Sequence, residues 1–224
     1  MIGISTRITS KEHHAKLLEN IDRWTFFFPH EKIVVVDSAS PDKSYFEPLQ
    51  QLSDNIIIED IDNAGYEAGA WWYIFDKYPD NKMYYFFQDS MLLADKITDF
   101  IPKDENDVAV CCEHENELDA PCIGWGGDPP AMNWARDQQD KCQYTDLLMD
   151  DGTFDLAVHS SFIIHRTALE KVKAKGLDKI IIDCKFGSRA FERIWGLSFF
   201  HYEKFNKIVI PGTHVRKWHG NRDD

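Results

Sequence analysis

The chain has 224 residues, 43% of them hydrophobic and 13% aromatic, which is enough for one α/β domain with a packed core. Its formal net charge is −13, from 38 acidic and 25 basic residues without a dense run of Lys and Arg, and this argues against nucleic acid as a main partner. No apolar stretch approaches the roughly 18 residues that cross a bilayer, so no transmembrane segment is expected.

Strands and helices alternate in the first half of the chain. Buried strands are predicted at residues 2–5, 33–36, 55–59, 83–87 and 108–112. The first helix is predicted from a capping-box pattern between Thr9 and Glu12, and further helices are predicted at residues 46–52 and 67–78. The apolar face of the first helix would consist of Leu17, Leu18, Ile21 and Trp24. This β-α-β-α-β order predicts an α/β fold with a mostly parallel sheet and helices on both faces.

The second half is less regular. Residues 113–152 lack a clear period and are predicted to form a long irregular segment, which in a compact domain is usually functional or mobile. A regular pattern then returns. It predicts a strand at residues 157–165, helices at 167–175 and 189–200, and a strand at 207–210 before a polar tail.

Cysteine usage and the first residues favour a cytoplasmic location. The five cysteines are odd in number and form no C-x-x-C pair, so reduced thiols are expected rather than disulfides or a zinc knuckle. The N-terminal residues lead directly into a strand, without the basic region and cleavage-site pattern of a secretory signal.

A small polar cluster follows each of three predicted strands, and the second of these clusters leads into the next predicted helix. They are Val36-Asp37-Ser38-Ala39-Ser40, Asn63-Ala64-Gly65 and Phe87-Gln88-Asp89-Ser90. In an open α/β sheet, ligands bind in the crevice beyond the carboxyl ends of the strands. The three clusters therefore predict one site for a polar, anionic ligand.

In their order and spacing these clusters resemble motifs of the GT-A glycosyltransferases, especially the family-2-like branch and small viral-type members. The resemblance covers residues 1–112 well and the remainder by element order. It implies one GT-A-like, Rossmann-type domain over residues 1–224, with a nucleotide-sugar-binding half at 1–112 and an acceptor-binding half at 113–224. The implied activity is transfer of a hexosyl or pentosyl group from a UDP- or dTDP-sugar to a glycan or other hydroxyl acceptor, with inversion favoured.

The resemblance also implies a donor site. The backbone near Thr6 and Arg7 would receive the base, and the carboxylate of Asp37 would accept from the uracil N–H. Asn63 and Gly65 would lie under the ribose or diphosphate, where glycine permits a close approach of the backbone. The complete expected donor set is Thr6, Arg7, Asp37, Ser38, Asn63, Gly65, Gln88 and Ser90.

A divalent cation is implied at the third cluster. Asp89 would bind Mn²⁺ or Mg²⁺, which would bridge the diphosphate oxygens and neutralise the charge of the leaving group. However, the chain has Gln88 where the D-x-D motif of the family has its first aspartate. Metal binding could therefore be weaker, could draw on His219, or could be absent, and His219 could equally be a surface histidine of the tail.

Inversion requires a carboxylate that deprotonates the acceptor hydroxyl. The resemblance places this base near the start of a late helix, and Glu192 is the favoured candidate. The alternative is an exposed glutamate paired with Arg189 or Arg193. Asp128 and Asp183 are the reserve candidates for the base.

Several other side chains have two interpretations. Trp71 and Trp72 have the spacing of a helix core, whereas Trp125 and Trp134 lie in the irregular segment and are predicted to contact sugar or acceptor. His159 precedes a predicted buried strand, where it could contact the donor or simply form a turn.

Two other functions compete with the transferase. A sugar-phosphate nucleotidyltransferase would need a glycine-rich loop near the N-terminus, and the sequence from Gly3 to Ile8 lacks those glycines. A non-catalytic nucleotide- or glycan-binding module stays possible because the first aspartate of D-x-D is missing.

Overall fold

The computed structural model describes residues 1–61, 65–112, 125, 128–149 and 154–218. The strands of this part of the chain are β1 (Ile2–Thr6), β2 (Ile33–Asp37), β3 (Ile56–Asp60), β4 (Met83–Gln88), β5 (Met91–Leu93), β6 (Asp107–Cys111), β7 (Phe162–His165), β8 (Asn206–Ile210) and β9 (Val215–Lys217). Its α-helices are α1 (Lys11–Phe27), α2 (Glu47–Gln50), α3 (Tyr66–Lys77), α4 (Pro129–Gln138), α5 (Arg166–Ala174) and α6 (Lys185–Gly196).

Seven strands form the central sheet, in the order β3-β2-β1-β4-β7-β6-β8. Every pair is parallel except those that β7 makes with β4 and β6. The register sets Thr6 opposite Asp37 and Ser5 opposite Gln88, so the carboxyl ends of β1, β2 and β4 are neighbours. The mostly parallel sheet predicted from the sequence is confirmed.

The core lies in two layers, one on each face of the sheet. Alternate side chains of β4 enter different layers, because successive residues of a strand point to opposite faces. Phe86 packs in the layer that contains Trp71 of α3, and Phe87 packs in the layer that contains Trp24 of α1. Trp71 is fully buried and stacks on Phe86, with ring centroids 4.8 Å apart, as expected for a core tryptophan.

Helix α1 begins one residue later than the capping box predicted. Ser10 is the N-cap, and its hydroxyl accepts from the backbone N–H of His13 at 3.1 Å. The predicted pairing of Thr9 with Glu12 is therefore wrong. Because the helix starts at Lys11, His13 comes to lie on its buried face together with Leu17, Ile21 and Trp24.

The second half contains more regular structure than the sequence predicted. Helix α4 lies within the segment predicted to be irregular, with Asp128 as its N-cap and prolines in its first turn. Strand β7 is shorter than predicted because a 3₁₀ turn, Val158–Ser160, precedes it. Helix α6 begins at Lys185 and continues into a π-helical turn, Leu197–Tyr202. In the predicted polar tail, β9 pairs antiparallel with β5 to form a second, two-stranded sheet.

Among the described residues, each helix is too short or too polar to cross a membrane. Four of the five cysteines lie in this part of the chain and are free thiols: Cys111, Cys112, Cys142 and Cys184.

Candidate functional site

The carboxyl edge of the sheet gathers most of the predicted site residues. It is also where the backbone is strained, because non-glycine residues adopt positive φ angles next to it. These are Ala39 after β2 (64°), Tyr66 at the start of α3 (49°), and His159 and Ser160 before β7 (54° and 50°). Such conformations persist only where surrounding contacts impose them, and they cluster at functional sites.

The loop after β2 is organised around the fully buried carboxylate of Asp37. Oδ1 accepts from the backbone N–H of Ser40 at 3.0 Å and from its hydroxyl at 2.5 Å, while Oδ2 accepts from Lys43. Lys43 also reaches Asp60 at 2.9 Å, and the hydrogen bond to Asp37 raises the pKa of its ammonium. Asp37 thus holds the loop in place, and its contact with a base stays a prediction.

Thr6 and its neighbours connect this loop to the end of β4. The carbonyl of Thr6 accepts from the backbone N–H of Ser38 at 2.8 Å, and its hydroxyl donates to Oδ2 of Asp89 at 2.7 Å. Thr6 is buried, Ser38 is half-buried and Arg7 is exposed. Backbone and side chains from β1, β2 and β4 therefore meet at one place.

Asp89 is a buried junction between three elements. Its Oδ2 accepts a hydrogen bond from the hydroxyl of Thr6 on β1 and lies 2.7 Å from Nε2 of His13 on α1. The amide of Asn20, also on α1, donates to the carbonyls of Asp89 and Met91 at 3.3 and 3.1 Å. Only 5% of the Asp89 surface is exposed. The carboxylate is consequently part of the structure that holds α1 to the β4–β5 turn.

One carboxylate oxygen of Asp89 is engaged by protein groups rather than open to a divalent cation. A metal ion needs several oxygen or nitrogen ligands with accessible lone pairs, whereas Oδ2 of Asp89 already accepts two hydrogen bonds. No group of three or more His, Cys, Asp and Glu side chains within the described ranges could hold a metal ion. His219 lies outside those ranges, so a metal bound by Asp89 and His219 stays a prediction.

Gln88 anchors a polar cluster that the sequence did not predict. Its amide Nε2 donates to Glu67 at 2.6 Å, and its Oε1 accepts from the ammonium of Lys217 at 3.1 Å. Lys217 also donates to the hydroxyl of Ser90 at 2.7 Å, and Ser188 of α6 donates to Glu67 at 3.0 Å. The cluster thus joins β4, α3, α6 and β9.

Glu67 is an acidic group in an enclosed setting. Part of the residue faces solvent, but its carboxyl is surrounded by protein, and this burial raises its pKa. The negative charge of Glu192 acts in the same direction, whereas Ser188 and the charge of Lys217 act in the opposite one. Glu67, Glu192 and Lys217 therefore interact electrostatically within a single site.

Glu192 lies on α6 with 17% of its side chain exposed, and its Oε1 is 3.7 Å from Nδ1 of His159. The His159 carbonyl accepts from Ser161, whose hydroxyl accepts from the backbone N–H of Gln88 at 3.2 Å. The predicted base therefore reaches the end of β4 through the strained turn before β7. It is not the exposed helical glutamate of the alternative interpretation.

The carboxylate of Asp128 is engaged by groups of α4 and α6. Its Oδ1 accepts from Arg189 at 3.0 Å and from the backbone N–H of Ala131 at 3.3 Å, and Arg193 lies 3.9 Å from Oδ2. These contacts cap α4 and join it to α6. Asp183, the second reserve candidate for the base, accepts from Trp134 at 3.1 Å, and this hydrogen bond lowers the pKa of its carboxyl.

The two tryptophans predicted to contact a sugar differ. Trp125 is buried and donates to the carbonyl of Leu147 at 3.1 Å, which is a packing role. Trp134 is half-buried on α4. Of the remaining predicted residues, Gly65 forms the N-cap of α3, and Asn63 lies outside the described residues.

The sequence contained weak signals for the two residues that were missed. Glu67 stands in the first turn of α3, two residues after Gly65, where a side chain lies close to the carboxyl edge of the sheet. Lys217 stands two residues before His219, which was predicted to join the site. The contact between Lys217 and Gln88 spans 129 residues of sequence and depends on the pairing of β9 with β5.

The fold is similar to that of S. aureus TarS, a glycosyltransferase. One TarS structure matches with a TM-score of 0.57 and 12% identity, over 96% of this chain and 35% of TarS. A TarS 1–349 complex with UDP matches with a TM-score of 0.57 and 11% identity, and a complex with UDP-GlcNAc with 0.54 and 12%. These two matches cover 96% of this chain and 59% and 56% of the TarS fragment.

The chain thus spans less than two thirds of the length of these TarS chains. No protein-family model and no curated protein matches its sequence. At this level of identity the similarity establishes the fold. The chain has a GT-A-like α/β fold, as its motifs predicted.

Proposed function

We propose that this protein is a glycosyltransferase that moves a sugar from a nucleotide-sugar donor, with a UDP-sugar favoured, to a hydroxyl group of a glycan or other acceptor. The observation that carries the proposal is the convergence at one sheet edge of the ends of β1, β2 and β4 with Glu67, Glu192 and Lys217. The GT-A-like fold, shared with TarS in its UDP and UDP-GlcNAc complexes, supports this proposal.

The donor would lie across the carboxyl edge. Its base would approach the loop that Asp37 and Ser40 organise, where Thr6 and Ser38 present backbone at the ends of β1 and β2. Its diphosphate would lie near Gln88 and Ser90, beyond the end of β4. This order follows the crevice of an open α/β sheet, where backbone and short polar side chains can bind phosphate closely.

Glu192 is the residue proposed to activate the acceptor. Its carboxylate would take the proton of the acceptor hydroxyl as the oxygen forms its bond to the anomeric carbon of the sugar. At the same time, the bond from that carbon to the diphosphate oxygen breaks, and both bonding electrons leave with the nucleoside diphosphate. Because the acceptor attacks from the side opposite the leaving group, this reaction inverts the anomeric centre.

Calorimetric titration with UDP and UDP-GlcNAc tests the donor site, and release of UDP from UDP-GlcNAc in the presence of hydroxyl acceptors tests the reaction. We expect dissociation constants in the micromolar range, as for many enzyme substrates. Saturable binding of UDP-GlcNAc with release of UDP would support the transferase. If neither UDP nor UDP-GlcNAc binds, the proposal is wrong.

A binding module without catalysis is the second candidate. The buried state of Asp89 favours it, because Oδ2 of this carboxylate is engaged by Thr6 and His13 and not by a metal ion of the kind that D-x-D residues bind in metal-assisted transfer. Such a module would bind the nucleotide sugar without releasing UDP over many hours. The same turnover assay therefore separates the two candidates.

A further inference from the structure

Lys217 donates hydrogen bonds to Gln88 and Ser90, the two ends of the segment that resembles D-x-D. We infer that its ammonium supplies the positive charge that stabilises the diphosphate of the donor, so that donor binding does not require a divalent metal ion. This inference rests on the proposed function and names the group that performs the charge neutralisation within it.

The position of Lys217 is fixed by the backbone as well as by its side chain. Strand β9 pairs with β5 so that Lys217 lies opposite Met91, three residues after Gln88. The next residue, Trp218, donates its backbone N–H to the carbonyl of Ser90 at 2.8 Å. The ammonium then donates to Gln88 and Ser90 at 3.1 and 2.7 Å. Lys217 is therefore held directly against the end of β4.

The residues that accept hydrogen bonds from the Lys217 ammonium are chemically suited to a diphosphate-binding site. Gln88 and Ser90 present neutral oxygens, which orient a lysine without adding negative charge at a place where a diphosphate would arrive. Two aspartates at these positions would repel the diphosphate unless a divalent cation lay between them. The ammonium of Lys217 places positive charge at Oε1 of Gln88 and at Ser90, while the Glu67 carboxyl contacts the other end of the Gln88 amide, Nε2. Lysine binds phosphate groups as a compact point charge.

The carboxylate that would be needed for a metal is engaged elsewhere. Oδ2 of Asp89 accepts from Thr6 and contacts His13, and the residue is 5% exposed. Lys217, in contrast, is half-buried and thus keeps access to solvent. In the reaction, negative charge grows on the leaving diphosphate oxygen as the bond to the anomeric carbon breaks. A nearby ammonium stabilises that charge without transferring a proton.

The test is calorimetric titration with UDP and with uridine, in buffer with EDTA and in buffer with Mn²⁺. We expect the wild-type protein to bind UDP with the same affinity, within about twofold, under both conditions. Lys217→Met keeps the apolar stem but removes the charge. Its dissociation constant for UDP should rise by about 10- to 100-fold, as for the loss of one hydrogen bond to a charged group. Lys217→Arg should restore most of the affinity.

Uridine and Lys82 provide the controls. Uridine has no diphosphate, so its affinity should change by less than about twofold in Lys217→Met. Lys82 is exposed and precedes β4 at the opposite end of the strand from Gln88, so Lys82→Met removes an equal charge far from the site. We expect this variant to bind UDP as the wild type does.

The outcomes separate the inference from the proposed function. UDP binding that requires Mn²⁺, or wild-type UDP affinity in Lys217→Met, overturns the role of Lys217 and leaves the transferase proposal standing. An equal loss of uridine and UDP affinity in Lys217→Met would show that Lys217 has a structural role alone, and this also overturns the inference. If the wild type binds UDP under neither condition, the proposed function fails, and the inference fails with it. The chelator experiment uses the wild type alone, so it tests the independence from metal even if the methionine variant does not fold, and Lys217→Arg then tests the role of the charge.

Discussion

Nε2 of His13 lies 2.7 Å from Oδ2 of Asp89, and the two residues are 1% and 5% exposed. This contact joins the first turn of α1 to the residue that follows β4. Thr6 adds a hydrogen bond from β1 to the same oxygen, at 2.7 Å. Within Gln88-Asp89-Ser90, the segment that resembles D-x-D, the carboxylate of Asp89 therefore stabilises the folded structure.

His13→Ala should destabilise the protein. The substitution removes a hydrogen-bond partner at 2.7 Å from a buried carboxylate, which keeps its desolvation cost, and this is strongly unfavourable. We expect the free energy of unfolding to fall by about 3 kcal/mol. Urea denaturation followed by tryptophan fluorescence measures this change.

His30→Ala is the matched control, because His30 is exposed after the end of α1. Its free energy of unfolding should stay within about 0.5 kcal/mol of the wild-type value. Equal stabilities of the His13→Ala and His30→Ala variants would show that Asp89 does not depend on the histidine. The carboxylate would then again be a candidate ligand for a cation.

Glu67→Gln should make stability less dependent on pH. Burial raises the pKa of the Glu67 carboxyl above its ordinary value of 4.5, so the folded state binds this proton more tightly than the unfolded chain. The resulting stabilisation is complete below the ordinary pKa and is lost as the pH rises through the folded-state pKa. We therefore expect the variant to be more stable than the wild type at about pH 8, with the difference vanishing toward about pH 4.

Urea denaturation at a series of pH values measures this difference. The glutamine Oε1 can accept from the amide of Gln88 while its Nε2 donates to the hydroxyl of Ser188, so hydrogen bonds to both partners persist in the variant. Glu105→Gln changes an exposed carboxylate and should leave the pH profile as in the wild type. A Glu67→Gln variant that is less stable than the wild type at about pH 8 would mean that its ionised carboxylate is a favourable partner of Lys217.

The sequence predicted the sheet well because its strands are buried on both faces and are therefore continuously apolar. Ile33–Asp37 and Met83–Gln88 show this clearly, and each was predicted within one residue of its observed bounds. Strand β9 has three residues with one apolar side chain, Val215, and carries no comparable signal. It forms because Met91–Leu93 offers a partner that is distant in sequence.

The site was predictable only where it follows directly from strand ends. Asp37 and Asp89 were found because each comes at the end of an apolar run. The Lys217 contact depends on the pairing of β9 with β5, and the His13 contact depends on a helix start one residue later than predicted. For α4 a signal was present and was overlooked, since Asp128 followed by Pro129 is typical of a helix N-terminus.

Glu192→Gln should abolish most turnover and keep donor binding. If Glu192 removes the acceptor proton, the amide cannot do so, and kcat should fall by about 10²- to 10⁴-fold. The dissociation constant for UDP should change by less than roughly threefold, because the proposed role concerns the acceptor. Release of UDP from UDP-GlcNAc and calorimetry measure the two quantities.

Glu170→Gln is the control for this experiment, since Glu170 is exposed on α5 and pairs with Arg166 at 2.8 Å. It should retain wild-type kcat. Wild-type turnover in Glu192→Gln would remove Glu192 from catalysis. Glu67 would then be the next carboxylate to substitute, because it lies in the same cluster.

Gly196→Ala should destabilise the protein more than Gly187→Ala, although both glycines lie on α6. A Cβ atom at Gly196 would come within 1.8 Å of the carbonyl oxygen of Asp155, which is backbone and cannot move alone. The adjacent contact from the backbone N–H of Ala157 to the carbonyl of Glu192, at 3.1 Å, would be strained as well. At Gly187 the nearest atom is a ring carbon of Trp134, 2.7 Å away, and a side chain can turn aside.

We expect a loss of about 3 kcal/mol or more in the free energy of unfolding for Gly196→Ala, and about 1 kcal/mol for Gly187→Ala. Urea denaturation measures both, and Trp134 fluorescence should shift in the second variant alone. Equal losses would indicate that the segment around Asp155 moves away from α6 easily. In that case the backbone around Ala157 would not hold Glu192 rigidly, and the geometry proposed for the acceptor base would lose its support.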